Sequence, residues 1–245
     1  MLPLSRPAIT LALEGNIGAG KSTFLQMLGR YLNAQLVPEP HEQWQHVGGG
    51  NLLDKFYKDT KRWAYTFQTY AFVTRVIAQQ EQARGNTRPL QILERSVFSD
   101  RYCFAKNAYE LGFLEPLEWQ LYKEWFNWLV TGFTQKPHAF IYIRTTPDVC
   151  YNRINKRSRS EEEAISRDYL ESLHAKHEDW LIANNQDLTQ GVPVLVLDGN
   201  LEFENAPDVQ EHYRDQISAF LVKNFNCVES EICVPLLKKD ELWKI

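Results

Sequence analysis

No apolar stretch in this chain of 245 residues approaches the roughly 20 needed to span a bilayer as a helix. There is no excess of positive charge either. Lysine and arginine number 27 against 31 acidic residues, a net charge of −4, which argues against a general nucleic-acid or anionic-membrane binder and requires any cationic site to be local. The four cysteines, Cys103, Cys150, Cys227 and Cys233, form no C-x-x-C pair, and two fall inside apolar segments. Buried, reduced thiols are therefore expected rather than disulfides or a metal site. Only about eight residues precede the first apolar run, with neither a signal core nor an Arg/Ser-rich leader. The Lys239-Asp240-Glu241-Leu242 string is not terminal and carries no retention address. No internal repeat or low-complexity linker divides the chain. These absences lead to the expectation of a cytoplasmic protein with no nucleic-acid or membrane partner, folded as one domain over 1–245 with a core at about 9–225 and a short C-terminal tail.

What is present begins with 44% hydrophobic and 13% aromatic residues, enough for a sizeable core. Residues 9–13 (ITLAL) form an apolar run of strand length that breaks at Gly15. Gly15-x-x-x-x-Gly20-Lys21-Ser22 then matches the phosphate-binding pattern G-x-x-x-x-G-K-[ST], and a helical pattern follows through Phe24, Leu25, Leu28 and Leu32. Glycines at 15, 18 and 20 let successive amides converge on one anion, and the helix N-terminus adds free N–H groups with partial positive charge. Lys21 is placed to reach the β/γ-phosphates and the Ser22 hydroxyl to bind Mg²⁺, so a nucleoside triphosphate is the expected ligand.

Further apolar runs at 35–37, 90–93 (LQIL), 139–144 (AFIYIR) and 192–197 (VPVLVL) read as strands. Between them helical patterns cover about 52–84 with a break at Asp59-Thr60, then 97–110, 115–132, 147–157, 166–183 and 211–225. Residues 41–51, with Gly48-Gly49-Gly50, read as a loop, and the tail from Asn226 shows no pattern. Strands alternating with helices imply an α/β fold, a P-loop NTPase-type parallel sheet covered on both faces. In such sheets ligands bind beyond the carboxyl ends of the strands. The polar residues there are Glu39, then Glu94-Arg95-Ser96, then Arg144-Thr145-Thr146, and Asp198. A carboxylate and an arginine at these ends suit Mg²⁺ and a transferring phosphoryl group.

The chain resembles the deoxyribonucleoside kinase family, whose members include deoxycytidine, deoxyguanosine and mitochondrial thymidine kinases, and within it the deoxycytidine/deoxyguanosine branch. The likeness runs from residue 9 to about 220. It is carried by Glu14-Gly15-Asn16-Ile17-Gly18-Ala19-Gly20-Lys21-Ser22-Thr23, Pro38-Glu39-Pro40, Arg62-Trp63, Phe67-Gln68-Thr69-Tyr70, Glu94-Arg95-Ser96 running on to Asp100-Arg101-Tyr102, the charged block 153–163, Tyr169-Leu170 and His177-Glu178-x-Trp180-Leu181. The resemblance implies phosphoryl transfer from ATP or another nucleoside triphosphate to the 5′-hydroxyl of a deoxyribonucleoside, for nucleotide salvage. Glu39 would be the general base, Arg95 would orient hydroxyl and phosphate, and Glu94 with Ser22 would hold Mg²⁺. Arg157 and Arg159, with Arg153 nearby, would form an arginine-rich lid over the triphosphate. Tyr57 and Glu162 would bind the 3′-hydroxyl, Gln68 would read the base edge, and Trp44, Phe67 and Phe104 would wall the base. The stretch 198–203, Phe203 included, falls where the family holds the donor's base. A homodimer through helices is implied as well, with Trp119, Trp125 and Trp128 suited to that interface or to the core.

Two positions bear on the base. Arg75 lies seven residues past Gln68, close to two helical turns, and so shares its face. In the deoxycytidine and deoxyguanosine kinases an arginine and an aspartate stand where Arg75 and Asp100 stand here, whereas thymidine-preferring relatives carry smaller or apolar residues that leave room for the 5-methyl group. The purine deoxynucleosides, deoxyadenosine and deoxyguanosine, are therefore the expected substrates, with deoxycytidine second to them and thymidine poor; Phe56, in place of a usual methionine, narrows the pocket. Thymidine-preferring or broad specificity is the alternative. A nucleoside monophosphate kinase is a further rival, but it needs extra cations for the acceptor's phosphate where this chain offers Pro38-Glu39-Pro40. A GTPase is disfavoured because Asn155-Lys156-Arg157-Ser158 lacks the aspartate of N-K-x-D.

Overall fold

The computed structural model describes residues 8–183 and 189–234. Five parallel strands run β1 (Ile9–Glu14), β2 (Ala34–Val37), β3 (Leu90–Glu94), β4 (Ala139–Arg144) and β5 (Val194–Asp198), in spatial order β2-β3-β1-β4-β5. Leu11 pairs with Ile92 on one side and Ala139 on the other. From β1 the chain runs to β2 on one side, and from its neighbour β4 to β5 on the other, which makes the carboxyl ends of β1 and β4 the switch point where a ligand crevice opens.

Alternation along the strands feeds two cores. Leu11, Leu13, Ile92, Ile141 and Ile143 pack with α1 (Lys21–Tyr31) and a late helix, Pro207–Phe225, through Phe24, Leu28, Tyr213 and Ile217. Ala12, Phe140 and Tyr142 face the other way, against Phe72, Phe98, Phe126 and Trp180. Both faces of the central strands are therefore dry, which is why they read as continuous apolar runs.

Between β2 and β3 lie α2 (His41–Gln45), α3 (Leu52–Lys58) and α4 (Thr60–Ala83). The break expected at Asp59-Thr60 is present: the Asp59 carboxylate accepts the Arg62 amide and caps α4. After β3 the chain runs through α5 (Val97–Ser99), a π-helical stretch Asp100–Ala105, and α6 (Lys106–Glu110); then come α7 (Pro116–Phe133), β4, α8 (Pro147–Arg157), a 3₁₀ turn Ser160–Glu162 and α9 (Arg167–Leu181). The late helix Pro207–Phe225 is α10, and α11 is Glu229–Ile232.

Four expectations are corrected. The segment 41–51 is not all loop, because α2 forms one helical turn that draws Trp44 into the interior, with only 4% of its surface exposed. β5 begins at Val194 rather than 192; Pro193 has no N–H to give, though its carbonyl accepts the Phe140 amide. α10 begins at Pro207, four residues before the expected start, since proline suits a first helical turn. The tail after Asn226 does have structure: Ile232 is buried and Cys233 bridges antiparallel to Leu32.

Candidate active site

The turn after β1 is held by close approach as much as by flexibility. Gly18 has φ +77°, and a Cβ there would sit 2.5 Å from the Cys150 carbonyl oxygen. The loop rests on a small cluster of Ile17, Ala19, Cys150, Ile154 and Leu170. The Asn16 amide donates to the Leu170 carbonyl at 2.8 Å, so this loop residue anchors the turn to α9. Lys21 is buried, with Nζ donating to the Asn16 carbonyl at 2.6 Å. Burial, and then the nearby Arg95 guanidinium, bring the Lys21 pKa down to about 7, against the pull of Glu39 and Glu94. The Ser22 hydroxyl donates to Glu94 Oε1 at 2.5 Å across the mouth of the loop.

A cavity of about 200 Å³ opens in front of this loop. Its polar floor is a charge network. Glu39 accepts from Arg95 Nη1 at 3.0 and 3.2 Å and from Arg75 Nη2 at 2.9 Å. Burial alone would raise its pKa, but Arg95, Arg75 and Lys21 outweigh burial and hold Glu39 well below the usual carboxylate range. Arg75 also grips Asp100 with Nε at 2.8 Å and Nη2 at 3.1 Å. Its own charge is likewise secured: burial opposes it, and the Asp100 and Glu39 carboxylates overcome that. Arg95 has a left-handed backbone, φ +63°, outside the comfortable range for a long side chain. Its amide donates to the Leu13 carbonyl and its Nη2 to the Gly15 carbonyl, so the strained turn is held from both ends against the phosphate loop. Such strain persists where the surroundings over-determine it, as they do here.

The apolar walls come from α2, α3, α4 and the π-helical stretch. Trp44 meets Phe67 edge-on, with ring centroids 5.5 Å apart, and Phe56 stacks on Phe67 at 4.5 Å. Phe104 lies beneath the Arg95 guanidinium at 4.7 Å. Gln68, Tyr57 and Asp100 line the same cavity, together with Arg157 at the end of α8 and Arg159 and Glu162 from the segment after it. Glu162 is buried, and both its oxygens are taken by Arg157, Nη2 lying at 2.7 and 2.6 Å. Glu161 next to it accepts from Gln45 at 2.8 Å and Asn51 at 3.0 Å, joining the lid to α2 and α3.

On the far side of the loop a second cavity, about 300 Å³, is lined by Gly18, Gly20, Thr23, Arg153, Lys156, Arg157 and residues 202–204. Phe203 forms its floor, packed edge-on against Phe24 at 5.4 Å and under Arg153 at 5.8 Å. Arg153 is not a free lid cation: its guanidinium donates to the carbonyls of Ala19 (3.2 Å), Gly199 (2.8 Å) and Leu201 (3.1 Å), tying the phosphate loop to the strand-end loop. Two compartments thus meet at the glycine turn, one with a buried charge network and aromatic walls, the other lined by three basic residues together with Glu202, Phe203 and Glu204.

The deoxynucleoside kinase family model matches residues 11–222 of the chain. The chain belongs to the deoxynucleoside kinase family. It is similar to deoxycytidine kinase 2 of Gallus gallus, 40% identical over 237 residues that cover 86% of this chain and 89% of that protein. It is likewise similar to the deoxycytidine kinase of Homo sapiens, at 38% over 86% of this chain and 90% of that one. The mitochondrial deoxyguanosine kinase of Xenopus laevis is 36% identical over 86% and 89%. The chain is therefore an ATP-dependent nucleoside phosphotransferase. Its sheet is the P-loop type expected, and no helix among the described residues is long and apolar enough to cross a membrane.

The site of this kinase includes residues that no sequence signal marked. His41, Leu53 and Ala71 line the first cavity, beside Glu39 and Arg95. Leu53 and Ala71 carry no chemistry that a pattern could flag, whereas His41 stands two residues past Glu39 in a stretch with no helical periodicity. Trp119 faces inward, stacked between Tyr109 at 5.1 Å and Tyr122 at 6.0 Å, while Trp125 and Trp128 are exposed.

Proposed function

We propose that this kinase transfers the γ-phosphate of ATP to the 5′-hydroxyl of deoxycytidine and the purine deoxynucleosides, and turns thymidine over poorly. The observation that carries the reading is the double grip of Arg75 on Asp100 and Glu39. The pair fills the edge of the pocket where a 5-methyl group would need room, and it presents fixed polar groups to an amino- or keto-substituted base. The names of the relatives support deoxycytidine among the candidates, and Phe56 stacked on Phe67 favours the smaller ring.

In this reading the 5′-hydroxyl approaches Glu39, which is fully ionised and accepts its proton as the bond to phosphorus forms. A carboxylate so stabilised by two arginines is a weak base in the resting site, so proton transfer comes late, after phosphorus–oxygen bonding has acidified the hydroxyl. Arg95 bridges Glu39 and the phosphate loop, which sets the angle between hydroxyl and donor. Lys21, Arg157 and Arg159 meet charge on the transferred group, and Tyr57 with Glu162 receives the 3′-hydroxyl. Ser22 and Glu94 offer hard oxygens 2.5 Å apart and suit Mg²⁺, an ion usually held by one or two protein oxygens together with the phosphates. When bound it neutralises the β- and γ-oxygens. Gly15, Asn16, Ile17, Gly18, Ala19, Gly20 and Thr23 shape the phosphate cradle, and Arg153 and Phe203 form the donor-base compartment.

The same reading places the kinase in the cytoplasm, in nucleotide salvage, as one domain and as a homodimer. Leu117, Leu121, Trp125 and Trp128 share a face of α7 and are exposed, an apolar strip of the kind a second copy covers. The test is turnover of the four natural deoxynucleosides with ATP, alongside Arg75→Met/Asp100→Ala. Thymidine turnover well below that of deoxycytidine in the unaltered enzyme, rising in the double variant, is the expected result. Equal thymidine turnover in the unaltered enzyme would overturn the base assignment.

A further inference from the structure

His41 is the first residue of α2, and its placement is fixed from three sides. Its amide donates to the Glu39 carbonyl at 2.7 Å. Its ring lies 6.0 Å from that of Trp44. Trp44 in turn is pinned by its indole N–H donating to Thr74 Oγ1 at 2.9 Å. The imidazole lines the nucleoside-side cavity, and its Nε2 lies 3.4 Å from Arg159 Nη1.

Arg159 needs such a partner. Glu162 is the carboxylate nearest to it, but Arg157 occupies both Glu162 oxygens at 2.6–2.7 Å and leaves Arg159 an ion pair of 3.7 Å. A long, part-exposed arginine held by one distant carboxylate keeps most of its rotamer freedom. A ring nitrogen fixed to the framework restricts that freedom without neutralising the charge that the transferred phosphoryl group requires. Only the neutral imidazole with its proton on Nδ1 can do this, since Nε2 must accept.

We propose that His41 is a positioning residue for phosphoryl transfer, which holds the Arg159 guanidinium against the wall of the nucleoside pocket through Nε2. The role rests on the reading of Arg159 as a lid arginine that meets the transferred phosphoryl group. The charged groups that face the ring are Arg159, Glu161 and Glu162 from the lid segment and Glu39 from the end of β2. Burial, and then Arg159, push the His41 pKa below its ordinary value against the pull of the three carboxylates, so the ring is neutral at physiological pH. Protonation at lower pH turns Nε2 into a donor and sets two cations against each other, which releases Arg159.

The experiment compares wild type, His41→Leu, His41→Gln, Arg159→Ala and the double variant His41→Leu/Arg159→Ala, each at saturating nucleoside and ATP. His41→Leu should lower kcat about 10-fold or more at pH 7.5, as expected for the loss of one hydrogen bond to a charged group. His41→Gln, whose Oε1 accepts but does not titrate, should retain most of that activity. The ratio of the His41→Gln rate to the wild-type rate should then rise as pH falls from 8 to 5.5, a comparison that cancels the protonation of ATP itself. In the Arg159→Ala background, His41→Leu should cost nothing more. A wild-type rate in His41→Leu, no recovery in His41→Gln, or a full further loss in the double variant would each overturn the proposal. A near-wild-type rate in Arg159→Ala alone would instead remove the lid reading on which it rests. Matching melting temperatures across the set separate positioning from misfolding.

Discussion

Ser22 at the start of α1 donates its hydroxyl to Glu94 at the end of β3, 2.5 Å across the mouth of the phosphate loop. One group comes from the helix that follows β1 and the other from the end of the neighbouring strand β3, and both face the same point. Ser22→Ala should therefore raise the Mg²⁺ concentration needed for half-maximal rate while leaving the fold intact. Glu94→Gln keeps the shape, removes the charge and should raise the Mg²⁺ concentration for half-maximal rate about tenfold. Mg²⁺ titration of steady-state turnover checks both; unchanged titration curves would place the ion elsewhere.

Glu39→Gln retains an oxygen for Arg75 and Arg95 but cannot accept a proton. We expect turnover to fall by about 10²-fold or more, with donor binding nearly unchanged. Equilibrium binding of an ATP analogue, measured beside kcat, distinguishes loss of the base from collapse of the network. Turnover at the wild-type level would remove Glu39 from the chemistry.

Thr74 has no contact of its own with the cavity but sets its wall. Thr74→Val is nearly isosteric and deprives the buried Trp44 indole of its acceptor. An unsatisfied buried N–H costs about 1–3 kcal/mol. Trp44 should move to recover a partner, raising KM for the nucleoside severalfold and changing kcat little. Thr74→Ser restores the oxygen and should restore KM.

His177 is buried, with Nδ1 against the Leu173 carbonyl and the ring stacked on Tyr142 at 5.9 Å. Burial brings its pKa down to about 3. Because the folded pKa lies below the unfolded value, the unfolded state binds the extra proton, and stability is lost as pH falls from about 6.5 toward 3. At pH 5 the loss is about 2 kcal/mol. Denaturant melts of wild type and His177→Phe between pH 7.5 and 5 should differ in slope, the variant being flatter.

The sheet was legible because β1, β3 and β4 are buried on both faces and so appear as unbroken apolar runs between glycine and charge punctuation. The break at Asp59 was legible for a local reason, since a cap acts on amides three residues away. α2 was not, because a five-residue helix has no period to display; what fixes it is Trp44 reaching Thr74, thirty positions on. The start of α10 and the structure of the tail were missed for a similar reason, as Ile232 finds its cover only once α1 and α10 have packed. In the site, motif residues stood out by type and spacing, and the structure gathers Glu39, Arg75, Arg95 and Asp100 as their strand ends and helix face required. His41 escaped because its meaning lies in Arg159, far along the chain, and Arg153 was assigned to the lid because spacing alone cannot show that its guanidinium has already been committed to carbonyls.

The network of Arg75, Asp100, Glu39 and Arg95 has a consequence for how such a pocket changes over evolutionary time. Removing one member of a buried ion pair strands its partner's charge and typically costs 3–5 kcal/mol, a large share of the stability of a whole domain, whereas replacing both with apolar groups is often nearly neutral. Lineages that exchange this arginine and aspartate for apolar residues must then cross a fitness valley or take both changes together. If Arg75 and Asp100 set the base preference as proposed, that preference is protected by charge balance: a single point mutation there yields an unstable protein before it yields one with a new substrate.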